Sequence, residues 1–77
     1  MKVSQLLARD LIGQVVLNGY YGVVTAQDKE SIEVQFVEGP FRGSGRKYGD
    51  QELDLIPMGQ VPGRLKNQVE KILSNLT

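Results

Sequence analysis

Arg42, Arg46 and Lys47 place three cations within six residues, inside the stretch EGPFRGSGRKYG at 38–49. Guanidinium and ammonium groups at this density suit phosphate or carboxylate oxygens, Arg as a planar bidentate fork and Lys as a mobile point charge. Gly39, Gly43, Gly45 and Gly49 surround them and leave the backbone accessible. The plainer reading is a solvated turn whose charges serve solubility. GSG at 43–45 is no phosphate fingerprint, because a dinucleotide loop needs a third glycine and a following helix. The spacing is not that of a Walker loop either.

Tyr20, Tyr21, Phe41 and Tyr48 form a second candidate set. Adjacent tyrosines in a strand point to opposite faces, so one of Tyr20 and Tyr21 is expected in the core and the other outside. An exposed ring near the basic loop would stack on a base or pack against a peptide. The competing reading has both tyrosines covering a thin core.

Other chemistries find less support. Asp50, Glu52 and Asp54 alternate along one segment. Paired carboxylates bind divalent cations or divide acid and base roles, but the calcium-loop pattern is missing and charge balance for the basic loop suffices. Ser4, Ser31, Ser44 and Ser74 have no histidine to serve as base, since the chain contains neither histidine nor cysteine. No catalytic residue, metal ligand or cofactor is assigned.

A third candidate is a helix at 64–76. Leu65, Val69, Ile72 and Leu76 share one stripe with Leu73, and polar residues fill the rest. Such a stripe docks on the chain's own sheet or offers a helix interface to another chain.

The elements that position these residues follow from periodicity and turn chemistry. A short helical segment is expected at 1–13, with Val3, Leu7 and Leu11 spaced by four, Ser4 as a cap and Gly13 at its end. Strands are expected from Gln14 to Leu17, from Tyr20 to Ala26, from Ser31 to Val37 and over 53–56, with Asn18-Gly19 as a tight turn. The basic stretch is a long loop or an irregular hairpin with a short strand from Arg46 to Tyr48. Pro57 closes the last strand.

With 77 residues, one domain is the natural reading. Nine basic residues offset nine acidic ones, which opposes general nucleic-acid binding. The N-terminus lacks the continuous apolar run of a secretory leader. No stretch approaches the roughly 20 apolar residues of a membrane span. A cytoplasmic location is expected.

Short strands, sharp turns and a glycine-rich connection suggest a mainly β fold, a small SH3-like five-stranded barrel with a short N-terminal helix and a C-terminal amphipathic helix. The stretch GQVVLNGYYGVVTAQDKESIEVQFVEG at 13–39 and the closing ELDLIP at 52–57 resemble Tudor-like and KOW-like SH3 barrels. The tyrosine pair before Gly22 and the V-x-F-x-x-G run are similar to the small SH3-like subunits of the cyanobacterial photosynthetic NDH-1 complex. The resemblance implies a barrel rim carrying Tyr20, Tyr21, Phe41 and Tyr48, with Arg42, Arg46 and Lys47 on its loops. It implies protein or RNA contacts rather than catalysis.

The function expected from the sequence is therefore a non-catalytic protein-interaction module, a small accessory or subunit protein of a larger assembly. The alternative is nucleic-acid binding through the basic loop. Another protein is the expected partner, with nucleic acid or a second copy of the chain as further candidates.

Overall fold

Two valine pairs, Val15-Val16 and Val23-Val24, decide the architecture. All four side chains are buried. Adjacent residues in a strand face opposite ways, so a sheet carrying these pairs must be covered on both sides.

The computed structural model describes residues 2–76 and bears this out; Met1, at the head of the expected helical segment, lies outside the described residues, as does Thr77. The order is α1 (Val3–Leu6), β1 (Val15–Asn18), β2 (Tyr20–Gln27), β3 (Ile32–Phe36), β4 (Gly45–Tyr48), β5 (Asp54–Ile56), a 3₁₀ turn (Met58–Gln60) and α2 (Gly63–Asn75). The five strands form one sheet in the order β4-β3-β2-β1-β5, and every pairing is antiparallel. The chain is thus mainly β, an antiparallel sheet with flanking helices.

The closed SH3-like barrel expected from the sequence is not formed. β4 and β5 lie at opposite edges of the sheet and do not pair with each other. A barrel has one interior, whereas this sheet buries residues on both faces. Val16, Val24, Ile32, Val34 and Phe36 meet Val3, Leu6, Leu11 and Leu53 on one side. Val15 and Val23 meet Val37, Val61, Leu65 and Val69 on the other. The resemblance to Tudor-like and KOW-like barrels, and to the NDH-1 subunits, falls with the barrel.

The N-terminal helix is shorter than the spacing predicts. α1 is a single turn, and Val3 N–H donates to the Gln51 carbonyl at 3.0 Å. Ser4 does not cap it. Its hydroxyl donates to Asp50 Oδ1 at 2.8 Å. Residues beyond α1 are held by one side chain of β2. Gln27 Oε1 accepts from Leu11 N–H at 2.8 Å, and Gln27 Nε2 donates to the Arg9 carbonyl at 2.8 Å. Gly13 adopts φ 90°, and its N–H reaches the Val24 carbonyl at 2.8 Å.

The turn between β2 and β3 is built on Asp28. Its Oδ1 accepts from Glu30 N–H at 2.8 Å and from Ser31 N–H at 2.7 Å, and the Ser31 hydroxyl adds a further bond. These bonds favour the ionised carboxylate, with the Glu30 amide first in weight, and hold the Asp28 pKa below its ordinary 3.8. A depressed folded pKa contributes stability that is present above the unfolded value and lost as pH falls through the folded one. Asp28→Asn is therefore expected to lower the urea midpoint at pH 7, with the gap to wild type closing in acid below about pH 4. A gap that stays constant between pH 7 and pH 2 overturns this reading of the turn.

Among the described residues no helix is long and apolar enough to cross a membrane.

Candidate binding surface

The segment between β3 and β4 is an irregular hairpin that hydrogen-bonds to itself. Arg42 N–H donates to the Gly39 carbonyl at 3.2 Å, Gly43 N–H to Phe36 at 3.0 Å and Ser44 N–H to Phe41 at 2.9 Å. Gly39 at φ 79° and Gly43 at φ 82° allow the two reversals. Its base is tied to the rest of the chain by Glu38. One carboxylate oxygen accepts from Tyr21 N–H at 2.9 Å and the other pairs with the Arg64 guanidinium at 3.1 Å.

The three cations diverge. Arg46 lies with its guanidinium 4.2 Å from the centroid of the Phe41 ring, a cation–π contact. Lys47, next in β4, stands opposite Glu33 on the other face. It lines a shallow depression with Ala26, Asp28 and Ser31. Arg42 turns toward α2 and lines a cavity there.

The aromatic residues divide as well. Phe36 joins Phe41 at 6.2 Å and Tyr48 at 6.3 Å between ring centroids. Tyr48 is half-buried against the first core, and Phe41 is 41% exposed. Tyr21 is half-buried against the second core, while Tyr20 is 40% exposed. Tyr20 covers Gly39 so closely that a Cβ there would come within 2.6 Å of the ring. An aromatic cage needs rings converging on one point. Here Tyr20 and Tyr21 lie on opposite sides of β2, and Arg46 already occupies the face of Phe41.

The helix stripe is divided between core and surface. Leu65 and Val69 are buried in the second core. Ile72 and Leu76 are half-buried. Asp50 is engaged by Ser4. Among the described residues no three His, Cys, Asp or Glu side chains gather as a metal-ligand group.

The arrangement brings together residues that the sequence reading left apart. A cavity of about 240 Å³ lies between the β3–β4 hairpin and α2. Arg42 and Gly43 line it from the hairpin, Gln35 from β3, and Gln68, Lys71, Ile72 and Asn75 from the helix. Gln68 Oε1 is buried and has no hydrogen-bond partner among the described residues. The four helix residues recur at intervals of three, one and three, one face of an α-helix. That spacing is visible in the sequence, but which face meets the hairpin is set by how α2 docks.

Comparison with protein-family models, with curated proteins and with solved structures found no match. What this surface can do thus rests on its own chemistry. It offers an exposed aromatic–guanidinium pair on a hairpin closed by its own backbone hydrogen bonds, beside a small cavity lined by Arg42 and Lys71.

Proposed function

We propose that the chain is a non-catalytic protein-interaction module, a small accessory subunit of a larger assembly, acting through the 38–49 hairpin. The observation that carries this reading is the Phe41–Arg46 pair. Aromatic and Arg side chains dominate the energetics of protein interfaces when they are held rigidly and can be desolvated. Phe41 is exposed, and the hairpin that presents it is fixed by its own backbone bonds. Little ordering entropy is then lost on binding. The lack of histidine and cysteine removes the commonest nucleophile–base pairs and supports a non-catalytic role. The absence of cysteine also fits the reducing cytoplasm, where we place the chain.

The three cations would support nucleic-acid binding if they formed one strip along a phosphate backbone. Their divergence and the zero net charge favour a protein partner.

The test is affinity capture from native lysate, with and without nuclease, comparing the wild-type chain with F41A/R46E. A protein partner that survives nuclease and falls at least about tenfold in the variant supports the reading. Recovery that depends on nucleic acid, or equal capture by both chains, overturns it.

A further inference from the structure

We infer that Asn18-Gly19, at the tip of the β1–β2 hairpin, is a site of spontaneous covalent modification, where the folded chain converts Asn18 to isoaspartate and aspartate through a succinimide ring. The site does not depend on the interaction role proposed above.

The chemistry is an exchange within the chain. The Gly19 nitrogen, after losing its proton, attacks Asn18 Cγ. The new C–N bond closes the ring, and the carboxamide nitrogen leaves as ammonia. Water then opens the ring. Attack at the side-chain carbonyl gives aspartate. Attack at the main-chain carbonyl gives isoaspartate, whose backbone runs through Cβ. The net change is one water taken up and one ammonia released.

The hairpin tip meets each demand of that reaction. The nucleophile must be free, and among the described residues the Gly19 N–H donates to no carbonyl. The electrophile must be accessible. Asn18 is exposed, and its carboxamide has no hydrogen-bond partner among the described residues. The approach must be open. Gly19 has no side chain to obstruct it, sits at φ 76°, and has nothing within 4 Å of the point where a Cβ would stand. The backbone must also rotate to bring the two atoms together. Asn18 pairs with Tyr20 at the last rung of the β1–β2 ladder, so the rotation breaks that rung and leaves the rest.

The other two asparagines supply the contrast. Asn67 and Asn75 are exposed as well, so exposure does not separate the three. Both lie in α2. The amide after Asn67 belongs to Gln68, inside the helix, where N–H groups are held by carbonyls one turn back. The amide after Asn75 belongs to Leu76 and donates to the Leu73 carbonyl at 3.1 Å. Gln68 and Leu76 also carry side chains that crowd the attacking nitrogen.

Either product changes the hairpin. A new carboxylate joins Glu52 and Asp54, which line the same depression as Asn18, and the formally neutral chain gains one negative charge. Isoaspartate also adds a methylene to the backbone and takes residue 18 out of register with Tyr20.

The experiment incubates the folded full chain in mildly alkaline buffer and follows each asparagine by peptide mapping that resolves isoaspartate from aspartate. The same chain unfolded in urea is followed in parallel, and urea melts give the unfolded fraction of the native sample. Asn18 in the folded chain is expected to convert at least about tenfold faster than Asn67 or Asn75. Isoaspartate is expected among the products, and the rate is expected to rise with pH, because the attacking nitrogen must lose its proton. N18Q, shown to be folded by circular dichroism, is expected to lose the acidic species, since the longer side chain closes its ring poorly.

Conversion of Asn18 no faster than that of Asn67 and Asn75 overturns the assignment. So does aspartate without isoaspartate, which marks direct hydrolysis, or an acidic species that persists in N18Q. A native rate no greater than the unfolded fraction accounts for also overturns it, because the reaction then belongs to the unfolded chain and not to the hairpin tip.

Discussion

Gly22→Ala lowers the stability of the chain by about 1–3 kcal/mol, the usual cost of forcing extra volume into a packed core. The cause is the closeness of β2 to β3. A Cβ on Gly22 would sit 2.5 Å from Val34 Cγ1 and 3.2 Å from the Gln35 carbonyl oxygen. Val34 is fully buried and β-branched, so it has little freedom to turn away. The clash outweighs the about 0.4–1 kcal/mol by which alanine favours folding through the lower entropy of its unfolded chain. For a domain of this size each kcal/mol shifts the melting temperature by about 4–8 °C. Adding Val34→Ala removes the atom that collides, so the double variant loses less than the sum of the two single ones. Gly59→Ala serves as the control, because nothing lies within 4 Å of a Cβ there. A Gly22→Ala melt at or above the wild-type temperature would show that β2 and β3 are not packed this way.

The second large effect is expected at Gln27. Its side chain joins β2 to the segment that follows α1, accepting from Leu11 N–H and donating to the Arg9 carbonyl. Leu11 itself is fully buried, so its amide has no easy recourse to water. Gln27→Ala removes both partners and is expected to cost about 2–3 kcal/mol. Hydrogen exchange of the Leu11 amide then accelerates sharply. Gln27→Glu retains the acceptor and loses the donor, and its stability falls between wild type and Gln27→Ala. Unchanged exchange at Leu11 in Gln27→Ala would mean that the N-terminal segment is held by its apolar contacts alone.

Gln27 also marks where the sequence stops being informative. Its position in β2 follows from the alternation around Val23 and Val24. Its bonds to residues sixteen and eighteen positions away in the chain follow only from the docking of two segments. The same limit explains the N-terminal helix. Val3, Leu7 and Leu11 have helical spacing, yet Leu11 reaches the core from a turn beyond α1. A segment of fewer than three turns takes its shape from the surface it meets, because short helices do not persist alone.

Strands and α2 were legible, since period-two alternation and an apolar stripe are local signals. The open sheet was legible too, in the wrong place to look for turns: Val15-Val16, Val23-Val24 and Phe36-Val37 require apolar cover on both faces. Turns and glycines taken alone point to a barrel, whose single interior leaves one member of each pair without cover. At the candidate site, Arg42, Arg46 and Lys47 are neighbours in sequence but not in direction. β4 alternates the last two, and the hairpin turns the first toward α2. Gln68 and Lys71 join Arg42 only because α2 packs with Leu65 and Val69 inward.

β2 is the central strand of the sheet, and it gives Val24 to one apolar cluster and Val23 to the other. Neither cluster has the size of a core that folds by itself. Sharing a spine makes them interdependent: fraying β2 strips the lining from both layers at once, so neither can melt while its neighbour persists. The chain is consequently expected to melt as one cooperative unit with a single calorimetric transition, although its apolar interior is divided between two compartments.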